Sequence, residues 1–319
     1  MVQAPAPEST TNDLVIYIFS FNRGRFLDNC LKSVAACAEG IPVTVIDDKS
    51  DDRNTRGILA KYRSRLKVIT AGEAEISEHK TGGLYNNMRF AFQDARESGK
   101  RFVLFLQDDM QLVRPILPRD ITGAAAFFEA NPNTAELHTC FMKRFFANRD
   151  EQLAELDATG EAYLRPSNYP GFSGFSAVGL FDIERVRQLF GELQQGEYAN
   201  NEFAQKNGIQ MGISTRPFMM WLPYPISHRG KTRNLPLQLV ESFAGCGFYP
   251  YEIMTDTAVD ELLERPLEQH PYAEDWLDCG PLKQTPVWSF AGGLSNLIAR
   301  GGLRGRLGQW LYRLRHQGS

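Results

Sequence analysis

The chain has 319 residues, of which 43% are apolar and 23% charged, and its formal net charge is −3 at neutral pH. These values are typical of a globular protein with one large domain or two ordinary ones, and they exclude disordered, collagen-like and disulfide-scaffold classes. A slightly acidic chain whose apolar runs stay short of about 18 residues predicts neither a nucleic-acid partner nor a membrane-spanning helix.

The N-terminus and the cysteines bear on where the protein works. Residues 1–13 contain neither a basic segment nor an apolar core, so we predict a short disordered lead rather than a signal peptide. The five cysteines are widely spaced and form no CxxC pair, which is typical of free thiols in a reducing compartment. A cytoplasmic location is the expectation that follows.

The first half of the chain alternates apolar runs with segments of helical periodicity. Apolar, β-branched runs predict strands at residues 14–21, 42–46, 66–70 and 101–106. Apolar residues at helical spacing predict helices over residues 25–38, 53–65 and 83–98. Strands that alternate with helices of this length are typical of βαβ units, so we predict an α/β fold with a mainly parallel sheet flanked by helices.

The second half is less regular. Its patterns predict helices and one longer strand, at residues 121–130, 183–190 and 200–207 for the helices and 135–142 for the strand. Residues 168–181 are rich in glycine, serine and aromatic residues, which indicates a loop that runs into a short strand. The pattern weakens after residue 235, so we expect a mixed C-terminal extension there.

Polar clusters follow three of the predicted strands. They are SFNR at residues 20–23, DD at residues 47–48 and QDD at residues 107–109. Ligands of parallel sheets bind at the carboxyl ends of the strands, and neighbouring carboxylates can hold Mg²⁺ or Mn²⁺, which in turn bridges a diphosphate. Glycine-rich dinucleotide and P-loop motifs are absent from the sequence. This chemistry suits group transfer from a nucleotide-activated donor.

In their order and spacing these segments resemble glycosyltransferase family 2, which has the GT-A fold. The opening strand with SFNR resembles the family's (T/S)xNR segment, and VIDDKSDD at residues 45–52 resembles its VDDxSxD loop. Four further segments resemble the helix start GxxxARN, the DxD segment, the glycine-rich acceptor strand and the (E/D)D segment: GGLYNN at 82–87, FLQDD at 105–109, GFSAVGLF at 174–181 and NNEF at 200–203. Asn86 and Gln107 depart from these patterns, and the resemblance covers about residues 14–230.

The resemblance implies a metal-dependent, inverting glycosyltransferase. It would move a sugar from a nucleoside-diphosphate sugar, most often a UDP-sugar, to a hydroxyl of a glycan or lipid-linked acceptor. A GT-A domain would span residues 14–235, with a nucleotide-binding half at 14–115 and an acceptor half at 116–235, before an extension at 236–319. Two alternatives stay open: a nucleotidyltransferase acting on a sugar phosphate, and a catalytically degenerate module that binds nucleotide or sugar.

The resemblance also implies roles for particular side chains on the donor side. The nucleotide pocket would be lined at the end of the first strand by Ser20, Asn22 and Arg25. Asp47 would accept a hydrogen bond from the base, and Lys80 or Asn87 would contact base or phosphate.

Metal binding and proton transfer fall to a second group of side chains. Asp108 would touch ribose or metal, Asp109 would bind Mn²⁺ or Mg²⁺ and the diphosphate, and His228 would complete the metal shell. Glu202 would be the general base that deprotonates the acceptor hydroxyl. Asp182 and Glu184 are its rivals.

The last twenty residues carry a separate signal. On one predicted helical face lie Leu303, Leu307, Trp310, Leu311 and Leu314, interleaved with arginines and without an acidic residue. A basic amphipathic helix of this kind can lie on an anionic membrane surface, or its apolar stripe can pack on the protein itself. The first possibility would place the protein at the inner face of the membrane, next to a lipid-linked acceptor.

Overall fold

The computed structural model describes residues 10–71, 83–165, 174–226, 235–244 and 246–280, together with Arg306 and Trp310. The elements of the first half follow the predicted alternation. In chain order they are β1 (Leu14–Ser20), α1 (Gly24–Cys37), β2 (Val43–Asp47), α2 (Arg53–Tyr62), β3 (Lys67–Thr70), α3 (Leu84–Glu97) and β4 (Phe102–Gln107).

The second half adds shorter strands and helices. They are β5 (Met110–Leu112), α4 (Pro118–Ala130), β6 (Thr134–His138), α5 (Ala147–Leu153), β7 (Glu155–Leu156), β8 (Ala162–Leu164), β9 (Gly179–Asp182), α6 (Ile183–Phe190), α7 (Glu197–Lys206), β10 (Gln210–Ser214), β11 (Met219–Trp221), α8 (Leu235–Ala244), α9 (Asp256–Glu264) and α10 (Ala273–Trp276). The strand predicted at 135–142 ends at His138, because beyond it the chain makes only isolated bridges at Cys140 and Met142.

The main sheet has nine strands in the order β3-β2-β1-β4-β9-β6-β10-β8-β7. The pairs β2/β3, β1/β2, β1/β4 and β6/β10 are parallel, whereas β9 runs against β4 and β6, and β8 runs against β10 and β7. The prediction of an α/β fold with a mainly parallel, helix-flanked sheet is therefore confirmed. Most carboxyl ends, including those of β1, β2, β4 and β6, lie at one edge of the sheet.

The central strands are apolar without interruption because both faces of the sheet are covered. Alternate residues of β1 join two different cores: Leu14, Ile16 and Ile18 in one, Val15, Tyr17 and Phe19 in the other. The first core also takes in α1 and α4, and the second takes in α3 and α6. In β1 and β4 the polar residues Ser20 and Gln107 stand at the carboxyl ends, which is where the candidate site lies.

The C-terminal extension contacts this domain over residues 246–280. Gln111 on β5 exchanges two hydrogen bonds with the backbone of Tyr251, at 2.8 and 3.0 Å. Met142 does the same with the backbone at Pro271 and Ala273. The boundary near residue 235 remains a prediction, and within the described residues no helix combines the length and apolarity that crossing a membrane would take.

Gly24, the first residue of α1, packs against the start of α2 so closely that a side chain would not fit. A Cβ there would lie 2.6 Å from the backbone nitrogen of Thr55 and 2.7 Å from the carbonyl carbon of Asn54. We expect Gly24→Ala to lower the free energy of unfolding by about 1–3 kcal/mol, because neither backbone can yield cheaply.

The matched control is Gly57→Ala within α2, where nothing lies within 4 Å of the added methyl group. This change should leave stability unchanged or raise it by up to about 1 kcal/mol, because alanine favours the helix. Urea unfolding at 25 °C measures both values. Equal stability of the Gly24→Ala variant and the unchanged protein would contradict the close packing.

Candidate active site

Two neighbouring carboxylates mark the end of β4. Asp108 and Asp109 are only 5% and 6% exposed. The Asp108 carboxylate accepts a hydrogen bond from the backbone N–H of Phe21, at 3.0 Å, in the segment that follows β1. Burial raises the pKa of Asp108 to about 7, the Arg23 cation opposes this rise, and the neighbouring Asp109 charge adds to it. The pair therefore forms a buried, negatively charged centre where β1 and β4 end side by side.

Arg23 supplies the positive charge of this centre. Its Nη1 lies 2.5 Å from Asp109 Oδ2 and 3.6 Å from Asp108 Oδ1. The side chain is 15% exposed, and although burial lowers its pKa, the charges of Asp109, Asp108 and the buried Glu241 together raise that pKa above the ordinary value. A buried charge pair is stable only when both partners are present. Arg23 and Asp109 thus depend on each other.

The backbone around Arg23 is held in an unusual conformation. Asn22 has a φ of +52°, in the left-handed region that asparagine tolerates better than most residues. Its backbone N–H donates to Ser50 Oγ at 2.9 Å, and its side-chain amide bridges to the backbone and carboxylate of Asp51. The Asn22 side chain therefore fastens the end of β1 to the loop after β2, and this fixes the direction of Arg23.

Asp47 also helps to hold the end of β1 against the loop after β2. It is 2% exposed, and its two carboxylate oxygens accept hydrogen bonds from the Ser50 backbone N–H (2.8 Å) and hydroxyl (2.6 Å). Burial raises its pKa, and the Ser50 hydrogen bonds oppose that rise. The predicted contact with a base remains a prediction. In this arrangement Asp47 supports the Ser50–Asn22 link.

The carboxylate of Asp48, next to Asp47 in this loop, is partly exposed. Its Oδ2 accepts a hydrogen bond from the backbone N–H of Gly83 at 2.9 Å, just before α3. Asn87, one turn into α3, is 1% exposed, and its Oδ1 is buried without a hydrogen-bond partner. A buried oxygen without a partner can accept a hydrogen bond from an N–H or O–H group of a ligand.

The remaining donor-side predictions are placed as follows. Ser20 is buried at the end of β1, opposite Asp47 in the parallel register. Arg25 is exposed, and its guanidinium stacks 4.1 Å from the Phe248 ring centroid. Lys80 lies outside the described residues. Their predicted roles in nucleotide binding remain predictions.

The metal prediction can be tested against the oxygen atoms that are available. Asp109 Oδ1 is buried and has no hydrogen-bond partner. Among the described residues no group of three or more His, Cys, Asp or Glu side chains could hold a metal, and His228 lies outside them. The residues fit an ion that Asp109 holds through Oδ1, with Asp108 nearby, because Mg²⁺ and Mn²⁺ sites commonly complete their shell with phosphate and water.

The acceptor side begins at α7, which starts at Glu197 and so earlier than predicted. Asn200 and Asn201 are buried, and their amides bind the backbone of the preceding loop and of residues 174–175. The (E/D)D-like position is thus occupied by two amides that hold the loops in place. Glu202 is exposed on this helix, and its role as general base remains a prediction.

Glu197, in the first turn of α7, faces a different environment from Glu202. Its side chain reaches solvent, yet the protein around the carboxyl group raises its pKa, and the Lys143 cation opposes that rise. The negative charge of Glu197 also acts on Tyr85 at the start of α3. Five helical positions turn the helix by about 500°, so Glu197 and Glu202 point in directions about 140° apart.

A buried acid and an imidazole lie between these two halves, on β6. Glu136 is 1% exposed, its Oε2 accepts the backbone N–H of Ser176 at 2.7 Å, and burial raises its pKa well above the ordinary value. His138 Nδ1 lies 3.2 Å from the Val178 carbonyl oxygen and 3.8 Å from Glu136 Oε1. The Nδ1 contact assigns the ring proton to that nitrogen. Burial lowers the pKa of His138 to about 4, so the ring is neutral at pH 7.

Trp221 connects this acceptor side to Asp109. Its backbone is paired with Met110, and the next residue donates from its N–H to the Asp109 carbonyl oxygen at 2.9 Å. The His138 ring lies 5.5 Å from the Trp221 ring, and Lys143 Nζ lies 5.2 Å from the same ring. An amphipathic aromatic ring between cationic and polar groups is suited to contact a sugar.

Several of these residues were not singled out from the sequence. Arg23 belongs to the SFNR segment, but the role in the nucleotide pocket was expected for Arg25. Glu136 and His138 carried a signal that could have found them, because polar residues alternate with apolar ones in a strand that is otherwise buried. Trp221 and Lys143 carried none, since only the packing of β5 on β11 brings them to the site.

Comparison with known proteins identifies the class. A family model described as glycosyl transferase family 2 matches residues 15–187, which is more than half of the chain. The chain therefore belongs to glycosyl transferase family 2, and its sheet is that of a GT-A glycosyltransferase. No curated protein matches the sequence.

Solved structures with similar folds share little sequence with this chain. TarS 1–349 of S. aureus has 16% identity and a TM-score of 0.40, covering 78% of this chain and 69% of that one. The mannosyltransferase PcManGT from Pyrobaculum calidifontis, in complex with GDP-Man and Mn²⁺, has 12% identity and a TM-score of 0.41, covering 68% and 61%. Glucosyl-3-phosphoglycerate synthase from Mycobacterium tuberculosis, with Mn²⁺ and UDP, has 13% identity and a TM-score of 0.40, covering 74% and 80%.

The lowered pKa of His138 predicts a loss of stability in acid. Because the folded-state pKa is about 4 and the ordinary value is 6.5, the unfolded chain binds this proton first as the pH falls. The stability is fully present above pH 6.5 and is lost towards pH 4, by up to about 1.4 kcal/mol per pH unit.

We therefore expect the unfolding free energy of the His138→Gln variant to fall less steeply than that of the unchanged protein over this range. Denaturant unfolding at several pH values measures the difference. Titrating groups remote from His138 contribute to both proteins and cancel in the comparison, whereas Glu136, 3.8 Å from the ring, does not. Parallel pH profiles would show that His138 is not held neutral by the fold.

Proposed function

We propose that this protein is a metal-dependent, inverting glycosyltransferase that takes its sugar from a nucleoside-diphosphate donor, with a UDP-sugar favoured. The acceptor would be a hydroxyl of a glycan or of a lipid-linked molecule. Family membership supports the class of reaction. The support for a donor site at the end of β4 is a single arrangement, the buried Asp108–Asp109 pair with the free Oδ1 of Asp109.

The donor side binds and orients the activated sugar. A divalent ion held at Asp109, when bound, would neutralise the negative charge that grows on the departing diphosphate. Arg23 lies beside Asp109 with its guanidinium close to the same place, so it adds positive charge to the leaving-group side. Asn87 and Asp48 lie next to one another at the start of α3 and would bind the polar edge of the nucleotide.

The acceptor side must remove one proton. In an inverting transfer the acceptor oxygen displaces the diphosphate in one step, so the protein supplies a general base and no nucleophile. The base takes the proton from the acceptor hydroxyl as the new glycosidic bond forms and the old sugar–phosphate bond breaks. Its carboxylate must therefore face the cleft opposite the leaving group.

Glu197 suits this role better than Glu202. Its charge interacts with Lys143, which in turn lies against Trp221, next to the Asp109 end of the sheet. Both side chains reach solvent, and Glu202 points about 140° away from Glu197 on the same helix. We propose Glu197 as the base in place of the residue expected from sequence.

Membrane association through the C-terminal segment stays part of the proposal. Its support is the basic amphipathic pattern of residues 300–319, most of which lie outside the described part of the chain. Arg306 and Trp310, which are described, are both exposed. An exposed tryptophan beside arginine is suited to an anionic interface, where a lipid-linked acceptor would be found.

The donor site predicts metal-dependent nucleotide binding. With UDP, GDP, CDP, dTDP and ADP as probes, we expect one nucleotide to raise the melting temperature when Mn²⁺ is present, by mass action on the native state. The Asp109→Asn variant should lose this metal-dependent shift and at least about 100-fold in turnover. The exposed Asp260→Asn change on α9 is the matched control and should alter neither.

Other outcomes of the same experiment point elsewhere. If none of the five nucleotides shifts the melting temperature in the presence of Mn²⁺, the donor site does not function. That result would favour the alternative of a catalytically degenerate binding module. If the protein instead consumes a sugar 1-phosphate and a nucleoside triphosphate and releases diphosphate, it is a nucleotidyltransferase.

The two candidate bases can be separated by amide substitutions on one helix. We expect Glu197→Gln to lower kcat by about 10²–10⁴-fold with little change in donor affinity, because general-base catalysis is worth that much. Glu202→Gln should lower it by less than about threefold. Initial rates of sugar transfer and nucleotide binding measure the two effects, and the reverse ranking would restore Glu202 as the base.

A further inference from the structure

Arg23 and a divalent ion would need the same carboxylate. Nη1 of Arg23 already lies 2.5 Å from Asp109 Oδ2, and the side chain is mostly buried against the two aspartates. The described residues contain no larger group of metal-binding side chains that could hold an ion elsewhere. A divalent ion that binds here must therefore compete with Arg23, which is already paired with Asp109, the principal ligand of the ion.

Asp109 does not use all the donors of Arg23, and the buried Glu241 is the third carboxylate whose charge acts on this cation. Within the described part of the chain its Nε and Nη2 make no hydrogen bond, whereas Nη1 is bound to Asp109. A planar guanidinium presents these N–H groups as a fork that matches two phosphate oxygens. Arg23 can thus be attracted to a diphosphate in the cleft as well as to Asp109.

The surrounding backbone is arranged to keep Arg23 in this position. Asn22 adopts the left-handed conformation directly before it, and Gly24 directly after it packs on the α2 backbone with no space for a side chain. The main chain on both sides of Arg23 is therefore anchored, so only its side chain can move. Asp109 Oδ1 is buried and has no hydrogen-bond partner, so it is the oxygen that remains for a cation while Oδ2 is paired with Arg23.

We propose that the Arg23 guanidinium and a divalent ion exchange on Asp109, so that the ion displaces the guanidinium when it binds. Without ligands the guanidinium neutralises Asp109. When an ion binds Asp109, the repulsion between the two cations releases the guanidinium, which then binds the diphosphate of the donor. This inference rests on the proposed donor site. The order in which the metal ion and the nucleotide bind then depends on Arg23.

The exchange predicts opposite effects on two ligands. Arg23→Gln removes the competing cation, so Mn²⁺ alone should bind at least about tenfold more tightly, as measured by the loss of the free-Mn²⁺ electron paramagnetic resonance signal. The same variant should bind UDP, at saturating Mg²⁺, at least about tenfold more weakly, because the phosphate loses the arginine that the metal would have released. Arg56→Gln, an exposed arginine of α2, is the charge-matched control and should change neither affinity.

A second measurement uses the unchanged protein and does not depend on the folding of a variant. In a ¹⁵N spectrum of the arginine Nε–H groups, Mg²⁺ should shift the Arg23 resonance as the guanidinium leaves Asp109. The resonance is assigned with Arg23→Lys. A Mn²⁺ affinity that is unchanged or weaker in Arg23→Gln, or an Arg23 resonance that stays in place while Mg²⁺ saturates, would overturn the exchange.

These outcomes are distinct from failure of the proposed function. If no nucleoside diphosphate binds the unchanged protein, the donor site is wrong, yet the comparison of Mn²⁺ affinities still tests the competition. If nucleotides bind and Arg23→Gln leaves both affinities unchanged, the donor site stands and only the exchange is excluded.

Discussion

Two neighbouring carboxylates are buried at the end of β4, and their charge is the constraint on which the site depends. Ionised groups taken out of water are costly unless they are paired and hydrogen-bonded. The backbone N–H of Phe21 and the guanidinium of Arg23 meet this need for Asp108 and Asp109. Both partners come from the segment after β1, so the pairing of β1 with β4 and the charge balance of the site form one structural unit.

The loop after β2 stabilises this arrangement of β1, β4 and Arg23. Asp47 holds Ser50, Ser50 holds Asn22, and Asn22 in its left-handed conformation sets the direction of Arg23. An acidic loop that sequence reasoning associates with direct ligand contact therefore acts in part through another residue. The partly exposed Asp48 of the same loop accepts a hydrogen bond from the backbone N–H of Gly83, directly before α3.

On the acceptor side, polar residues are divided between holding loops and facing the cleft. Asn201 binds the backbone of residues 174 and 175, and Glu136 binds that of Ser176. These buried contacts fix the segment that leads into β9, between β4 and β6. Lys143 lies against the Trp221 ring and acts on the Glu197 charge, and the neutral His138 ring lies on the same tryptophan.

The fold could be predicted from sequence, and so could the grouping of polar strand ends that forms the candidate site, whereas the contacts of several side chains could not. Apolar runs and helical spacing are local signals, and they predicted β1 to β4, the helices between them and the polar strand ends. The choice between Arg23 and Arg25 depends on the direction of the chain at Asn22, which no local pattern reveals. The choice between Glu197 and Glu202 depends on where α7 begins, and two buried asparagines that look like ordinary polar positions determine that start.

The sequence by itself determined the alternation of strands and helices, the carboxylates at the end of β4 and the family resemblance, because each rests on residues near one another in the chain. The tertiary structure determined which charged side chains lie close together. Arg23 reaches Asp109 across 86 positions, and Trp221 reaches the same strand end across the β5–β11 pairing. Contacts of that separation follow from packing and burial, since only the folded sheet brings those strand ends together.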